Sequence, residues 1–596
     1  MTGVLQALDR YYERMAARSE AEAPGYSRAK IGFAVVLSVE SEPIDVLDLR
    51  ERSGKRLTPR LLEVPAAVTR TVGIAPNLLW DKTAYVLGRT AGKDHRTARE
   101  HASFKEANLA LLDGADDEGL TALRRFLETW SPARFDAAPF SPEMLDANVV
   151  FRLAGDPGFI HERAAARRLI EARVGGDGPL GLCLVSGMQA PVRRLHPSIK
   201  GVYGAQSSGA SLVSFNLDAF TSHGREQGAN APVSEGAAFR YGAALNRMLD
   251  RDSRNRLMRP VGDTTLVFWA DASRAGEDAE DTAQAAENLF AFLAEPPDDE
   301  TEAAKLRDAL DDLAKGRPVP NLDLSLVKGT RFHVLGLAPN AARLSVRYWL
   351  EDDFSEFAKR LAGHYRDLAI EPAPWRAKLP SVSRLLVKTT ALQEKFDNIP
   401  PLLAGEVMRA VLSGSRYPRM LLSAAITRLR AGDDPGSGWH AAAIRAVLAR
   451  DYRLRFGKEN WLVSLDRNFP DPAYQLGRLF AAVETAQRLA LGRVNATIRD
   501  RYFGAASATP AGVFPLLLRG AQNHLGRLRK DGKGGWLERE IEEITDLLPP
   551  DLPRSLPMES QGKFVIGYYH QRRAQYAARP AEAALADDDT NDEGDA

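Results

Sequence analysis

The 596-residue sequence has one cysteine, Cys183, and no run of 18 apolar residues. A single cysteine excludes an internal disulfide and a zinc site built from several thiolates. The missing apolar run excludes a predicted transmembrane helix, because a helix needs about 20 apolar residues to span a bilayer. Together these absences predict a protein of the reducing cytoplasm. Cys183 lies in the apolar run GLCLVSG, which predicts a buried strand and a thiol that packs in the core.

The sequence also lacks an excess of either charge, since 79 Lys and Arg residues balance 79 Asp and Glu residues. A balanced total gives no sign of a nucleic-acid partner, but local excesses can still occur. Residues 477–580 contain 16 Lys and Arg residues against 10 Asp and Glu residues. This basic segment suits a phosphate backbone, and an ordinary solvated helix surface is the alternative.

Recognisable reaction chemistry is missing as well. The ten histidines are scattered without the spacing of metal ligands, and no Walker A pattern occurs. Ser207 and Ser208 lie in GAQSSGAS, which does not match the Gly-x-Ser-x-Gly pattern of a nucleophile elbow. We therefore expect a binding protein that is not an enzyme and needs no metal or other cofactor. A hydrolase that uses Ser207 or Ser208 is the enzymatic alternative.

Strand signals are confined to the first part of the sequence. Short β-branched runs such as NVVFRLAG and TTLVFWA alternate irregularly with helical segments, and DKTAYVLG has the composition of a strand that ends at Gly88. The irregular order favours an α+β region with mixed or antiparallel sheets over a doubly wound sheet. Beyond a Pro-rich boundary at 371–381, amphipathic periods predict an all-α helical bundle. The predicted domains are an α+β N-terminal domain at 1–375, a C-terminal helical bundle at 376–580 and an acidic disordered tail at 581–596.

Two segments carry residues suited to binding. The Gly- and Ser-rich segment 201–246 contains amides able to read base edges, and the alternative is that these amides satisfy the loop's own backbone. The loop 88–101 is basic and leads into a helix, so it suits phosphate, with a solvated loop as the alternative. The amides of the first segment are Gln206, Asn216, Gln227 and Asn230, and the cations of the second are Arg89, Lys93, Arg96 and Arg99.

Several long segments resemble one known family, the large subunit of the type I-C CRISPR Cascade complex. The resemblance extends over nearly the whole chain and is carried by PGYSRAKIGFAVVLS, RTVGIAPNLLWDKTAYVLG, RLHPSIKGVYGAQSSGASLVSFNLDAFTSHGREQGANAPVSEG, LAPNAARLSVRYW, YQLGRLFAAVETAQ and GKFVIGYYHQR. It implies a subunit of an RNA-guided antiviral surveillance complex. Within the chain it implies an N-terminal domain that recognises the protospacer-adjacent motif (PAM) on duplex DNA and docks to the complex. It also implies a small-subunit-like segment at about 476–580 that stabilises the displaced strand of the R-loop.

The resemblance further implies partners and a separate product. The partners are the backbone subunits on the CRISPR RNA, the subunit that caps the RNA 5′ handle, small subunits, the target DNA and a recruited helicase-nuclease. In this family the small subunit arises by internal translation, here from a start near 474–484, where the sequence has no Met. A purely structural subunit that bridges the complex is the alternative function.

Candidate DNA-binding residues follow from the resemblance together with the residue chemistry. Those at the PAM duplex are Gln206, Ser207, Ser208, Asn216, Asn230, Asn77 and Lys82. Those at the DNA backbone or the displaced strand are Arg89, Lys93, Arg96, Arg499, Arg501, Arg527, Arg529 and Lys530. Docking to the neighbouring subunit is the alternative role of the first set.

Overall fold

The computed structural model describes residues 3–577, apart from 19, 54–55, 69, 71–72, 93–94, 175–177, 272–278, 297–304, 306–307, 309–328, 376–378, 458–460 and 493. The described chain forms two compact units. One comprises the residues up to Lys200 together with Ser207–Asp250, and the other comprises Gly201–Gln206 with the residues from Arg251 onward. The predicted acidic tail at 581–596 lies outside the described residues. None of the described helices is both long and apolar enough to cross a membrane.

The first unit mixes helices with several small sheets. Its helices are α1 (Val4–Ala17), α2 (Thr83–Val86), α3 (Thr97–Leu111), α4 (Glu118–Thr129), α5 (Ala164–Val174) and α6 (Glu235–Leu249). Its strands are β1 (Tyr26–Ile31), β2 (Phe33–Leu37), β3 (Pro43–Asp48), β4 (Glu51–Ser53), β5 (Arg56–Thr58), β6 (Arg60–Pro65), β7 (Asp81–Lys82), β8 (Asn148–Leu153), β9 (Leu180–Leu182), β10 (Gln189–Pro191), β11 (Ser198–Ile199) and β12 (Ala210–Ser211).

A four-stranded mixed sheet in the order β3-β2-β8-β7 organises the core of this unit. Strands β2 and β8 run parallel, with Phe33 opposite Val149, while β3 and β7 pair antiparallel at the edges. All five residues of β2 are buried, which explains its continuous apolar sequence. Helix α4 adds an apolar face that includes Phe126 to the same core, and Asp117 caps the helix by accepting the Leu120 N–H at 3.0 Å.

The strand predicted to end at Gly88 is wrong over most of its length: Asp81–Lys82 form β7, but Thr83–Val86 form the short helix α2. All four of its residues are buried. Burial on every side removes the polar face that would reveal a helical period, so β-branched and aromatic composition misleads there. The Thr83 hydroxyl accepts the Asp146 N–H at 2.8 Å and ties the turn to the segment before β8.

The second unit joins a β-sheet to a large helical assembly. Strands β13 (Thr265–Asp271), β14 (Arg331–Asn340) and β15 (Arg343–Asp353) pair antiparallel, with Thr265 opposite Leu337. The helices are α7 (Ala279–Ala294), α8 (Phe354–Leu368), α9 (Val382–Val387), α10 (Pro401–Ser413), α11 (Arg419–Arg430), α12 (Trp439–Phe456), α13 (Pro472–Leu491), α14 (Ile498–Ala508), α15 (Pro510–Lys530), α16 (Gly535–Asp546) and α17 (Met558–Ala577).

The fold class is confirmed, since sheets with mixed and antiparallel pairing precede a region of helices. The two compact units, however, divide at residue 250 and not at the composition change near residue 375. Helices α8 and α10 pack against β15, so one hydrophobic core extends from the sheet into the helices. The functional division into 1–375 and 376–580 stays a prediction.

Helices α13 and α17 pack at close range within the segment expected to resemble a small subunit. A Cβ at Gly477 would lie 2.0 Å from the Phe564 carbonyl oxygen, so the approach requires glycine. Polar side chains also cross this contact, and the Tyr568 hydroxyl donates to Glu484 at 2.6 Å. The similarity of 476–580 to a separate small subunit stays a prediction.

Candidate nucleic-acid interface

The loop between β6 and β7 is shaped by one buried carboxylate. Asp81 is 1% exposed, and its Oδ2 accepts the Asn77 N–H at 2.8 Å and a hydrogen bond from the Arg70 guanidinium. The Asn77 side chain is buried, and its Oδ1 accepts the Val68 N–H at 2.9 Å. Irregular backbone needs such partners because it has no ladder of its own. Asn77 therefore supports the loop, and its acceptor oxygen is already engaged.

An open pocket of about 540 Å³ lies beside this loop in the first unit. It brings together two predicted residues, Lys82 and Arg96, which are 14 positions apart in the sequence. The Lys82 side chain is exposed, and its ammonium has no partner among the described residues. Arg96 donates to the Gly73 carbonyl oxygen at 3.0 Å. The lining residues are Arg70, Gly73, Lys82, Ala84, Tyr85, Arg96, Glu100 and Asp146.

Charge and aromatic surface make this pocket suited to an anion. Three cations line it against the two acids Glu100 and Asp146. The Arg70 guanidinium lies 4.2 Å from the centre of the Tyr85 ring, and burial raises the pKa of Tyr85, so its phenol stays neutral. Sequence reasoning missed Arg70, because its position beside Lys82 depends on the Asp81 hydrogen bonds. A phosphate bound in the pocket would form an ion pair with the Lys82 ammonium.

The other cations of the 88–101 loop behave differently. Arg89 donates twice to Asp136 of the 3₁₀ turn Pro132–Asp136, at 2.6 and 3.3 Å, so this carboxylate already neutralises it. Arg99 is exposed on α3. Lys93 lies outside the described residues, and its role as a phosphate contact stays a prediction.

The candidate side chains of the amide-rich segment differ in their surroundings: some are exposed to solvent, and others form hydrogen bonds within their own loop. Gln206, Ser207 and Ser208 are exposed in the loop between β11 and β12, where they suit contact with a partner. Neither hydroxyl bonds to a histidine or a carboxylate within the described part of the chain, so the hydrolase alternative gains no support. Asn216 is also exposed, just before the 3₁₀ turn Asp218–Phe220.

Asn230 is fully engaged by its own loop. Its Oδ1 accepts the Ser222 N–H at 2.9 Å, and its Nδ2 donates to the carbonyl oxygens of Arg225 and Gln227 at 3.0 Å each. These contacts favour the alternative raised for this amide, that it satisfies loop backbone. Asn230 thus shapes the 222–230 turn, whereas Gln206 presents its amide to solvent.

Helix α15 presents a cationic face to solvent. Its 21 residues include no Asp or Glu. A buried stripe of Phe514, Leu517, Ala521, Leu525 and Leu528 faces the core at helical spacing. The opposite, exposed face consists of Gly512, Leu516, Arg519, Asn523, Arg527 and Lys530. Two of the predicted cations, Arg527 and Lys530, therefore lie on one exposed face, and their role as phosphate contacts stays a prediction. Arg519 was missed because no charged neighbour in the sequence marks it.

Glycine on this helix further favours a binding surface. A Cβ at Gly512, Gly520 or Gly526 would meet no atom within 4 Å, so packing does not require glycine there. Each interior glycine costs a helix roughly 1 kcal/mol relative to alanine. Because glycine has no side chain, the extended backbone of a binding partner can approach the helix closely at these positions.

The remaining predicted cations are partly neutralised. Arg529 forms an ion pair with Glu538 of α16. Arg499 donates to Asp434 at 2.7 Å; burial lowers the pKa of its guanidinium, but the negative charges of Asp434, Tyr568 and Glu484 together raise it overall. Arg501 is exposed, without an ion pair in the described segments around it. Arg501, Arg527 and Lys530 are thus the predicted cations most open to phosphate.

Comparison with known proteins gives the family. The model of one family, described as CRISPR-associated protein (Cas_Csd1), matches residues 8–576. A search of curated proteins finds no match. The family match covers nearly the whole chain and agrees with the segments that resemble the type I-C large subunit. The chain belongs to the Csd1 family of CRISPR-associated proteins, which is the large-subunit family of type I-C.

Proposed function

We propose that this subunit recognises the PAM on double-stranded DNA, promotes unwinding and stabilises the strand displaced from the R-loop. Membership of a CRISPR-associated family supports a place in an RNA-guided effector complex. The observation that carries the DNA assignment is the acid-free, exposed face of α15, with Arg519, Arg527 and Lys530 at helical spacing. The pocket lined by Lys82 and Arg96 offers the first unit a cationic surface suited to a phosphate.

The energetics of R-loop formation make such contacts sufficient. Guide RNA pairs with one DNA strand, so an RNA–DNA heteroduplex replaces a DNA duplex of similar stability. The free-energy change of unwinding is therefore close to zero. A few contacts to the motif duplex and to the freed strand can tip this balance. Exposed amides such as Gln206 suit base edges, and cationic helix faces suit the unpaired strand.

The partners follow from the proposed place in the complex. They are the backbone subunits on the CRISPR RNA, the subunit that caps its 5′ handle and small subunits. A helicase-nuclease recruited after R-loop formation cuts the DNA, so this chain acts in the cytoplasm by binding, without catalysis or a cofactor.

A scaffold that only bridges subunits is the second candidate, and one observation favours it. The β9–β10 hairpin exposes Leu180 at 75% and Met188 at 67%, together with Leu182 and Leu184. Exposed apolar side chains on one short hairpin suit a neighbouring subunit. This surface is compatible with docking in either function, since a PAM-reading subunit must also be held in the complex.

Reconstitution separates the two functions. Complexes assembled with and without this chain are tested for binding to motif-bearing duplex and to duplex with a scrambled motif. The proposed function predicts that selectivity for the motif disappears when the chain is left out. Retained selectivity in its absence assigns the chain to scaffolding alone.

A further inference from the structure

The turn between α15 and α16 has a defined shape. Gly534 has φ +91°, and a Cβ there would lie 2.9 Å from Cβ of Leu528, so the turn requires glycine. The Lys533 N–H donates to the Leu528 carbonyl oxygen at 2.8 Å. The Arg529–Glu538 ion pair joins the last turn of α15 to the first turn of α16. The residues that follow this turn are therefore held in a set position.

Trp536 occupies that position with its side chain open to solvent. The residue is 52% exposed, whereas the adjacent Leu537 is fully buried and anchors α16 to the core. The indole has no hydrogen bond, aromatic contact or cation–π contact within the described residues. Tryptophan is usually mostly buried, and Trp269 of the same unit is 1% exposed. Packing of α16 thus does not account for Trp536.

The end of α15 and the turn that leads to Trp536 carry exposed cations. Arg527, Lys530 and Lys533 are all exposed, and none forms an ion pair in the part of the chain described. The one acid between them in the sequence is Asp531, and Glu538 is already engaged by Arg529. An apolar protein surface would gain little from an isolated indole among unpaired cations. A phosphate backbone complements these cations, and an unpaired base complements the indole.

We propose that Trp536 is a stacking platform for an unpaired nucleobase, with Arg527, Lys530 and Lys533 holding the flanking phosphates. Aromatic stacking beside a cationic track is the usual way in which proteins hold single strands, because every base has a π face. A duplex offers no such face within its stack. This inference rests on the proposed binding of the displaced strand and identifies the contact that selects single-stranded over paired nucleic acid.

The test compares an oligonucleotide that carries bases with one that has only the sugar–phosphate backbone. Full-length protein is titrated with fluorescent oligo-dT and with an abasic oligonucleotide of the same length, by fluorescence anisotropy. Trp536→Leu keeps an apolar side chain without a π face, and Trp536→Phe keeps a smaller ring. We expect Trp536→Leu to weaken oligo-dT binding about 5- to 150-fold and to leave the abasic strand unchanged, while Trp536→Phe retains part of the affinity. Leu547→Ala, which trims another exposed apolar side chain next to α16, should change neither.

The outcomes separate this inference from the proposed function. Arg527→Gln combined with Lys530→Gln should weaken binding of both oligonucleotides, because both carry phosphates. If these charge changes act as expected while Trp536→Leu leaves oligo-dT binding intact, stacking is overturned and strand binding stands. Equal losses on oligo-dT and abasic strands with Trp536→Leu also overturn it. A parallel titration with oligo-U shows whether the platform serves DNA, RNA or both.

Discussion

The Asp81 carboxylate accepts the Asn77 N–H at 2.8 Å, and both residues are buried beside the pocket that contains Lys82. Asp81 also binds the Arg70 guanidinium and accepts the Lys82 N–H at 2.8 Å. The Asp81 side chain thus fixes the loop that positions Arg70 and Lys82 at the pocket.

Asp81→Ala should loosen this loop. Removing the acceptor leaves buried donors unpaired, at a cost of about 3 kcal/mol. Hydrogen exchange of the backbone amides in residues 73–82 should speed up more than tenfold. Asp116→Ala, at an exposed carboxylate of the same unit, should leave that exchange unchanged. Unaltered exchange in Asp81→Ala would show that other contacts hold the loop.

Lys82→Gln should weaken binding of motif-bearing duplex by the assembled complex. A phosphate contact contributes about 0.9 to the slope of log affinity against log salt on duplex DNA, so that slope should fall by about one. Arg124→Gln is the matched control, since Arg124 is partly exposed on α4 and does not line the pocket. An unchanged slope in Lys82→Gln would remove the phosphate role of this pocket.

The cationic face of α15 should govern the salt dependence of R-loop formation. Replacing Arg519, Arg527 and Lys530 by glutamine should flatten the salt dependence by about 0.7 per phosphate contact on a single strand. Arg529→Gln is expected to have a smaller effect, because Arg529 is already paired with Glu538. Equal effects of all four changes would indicate a diffuse field instead of a specific face.

Gln206 and Asn230 should differ in the kind of loss they cause. Gln206→Ala removes an exposed amide and should weaken binding to motif-bearing duplex more than to pre-opened DNA. Asn230→Ala removes three hydrogen bonds inside its own loop and should reduce both affinities alike. Equal losses for Gln206→Ala would assign its loop to docking.

Much of the fold could be predicted because periodic patterns survive on half-buried elements. Helices such as α15 show the expected helical spacing, whereas β13 and β14 are buried along nearly their whole length and are marked by continuous apolar runs instead of alternation. Thr83–Val86 was predicted as a strand because complete burial removes the polar residues that distinguish the two periods. No unit boundary falls near residue 375, because α10 packs on β15 across about 50 residues of sequence and joins the sheet to the helices.

The candidate site was predictable by residue type but not by partner. Sequence shows that Asn77, Asn230 and Gln206 carry amides, yet only the structure shows that the first two serve backbone. Arg529 and Arg499 likewise find their carboxylates through tertiary packing. Lys82 and Arg96 meet in one pocket because the loop at Asp81 and the start of α3 lie side by side. These outcomes depend on contacts that local spacing does not encode.

Acid should destabilise the first unit through His161. Its Nε2–H donates to the Glu63 carbonyl oxygen at 3.0 Å, its Nδ1 is buried without a partner, and burial lowers its pKa from 6.5 to about 4. The unfolded chain therefore binds the extra proton first, so this stability is present above pH 6.5 and is lost as the pH falls toward 4.

Comparison with His161→Gln isolates that contribution. Between pH of about 7 and about 5 the natural chain should lose about 2 kcal/mol more unfolding free energy than the variant, measured by denaturant titration. His196, whose pKa burial also lowers to about 4, titrates alike in both proteins and cancels. Parallel acid sensitivity of the two proteins would exclude His161 as a source.

The most direct test of the account is the affinity of the assembled complex for target duplexes with and without the flanking motif. Both targets carry the same guide-complementary sequence, so base pairing with the RNA contributes equally. We predict tighter binding of the motif-bearing duplex, with the difference lost when both targets are pre-opened. Identical affinity for the two closed duplexes would contradict motif recognition by this subunit.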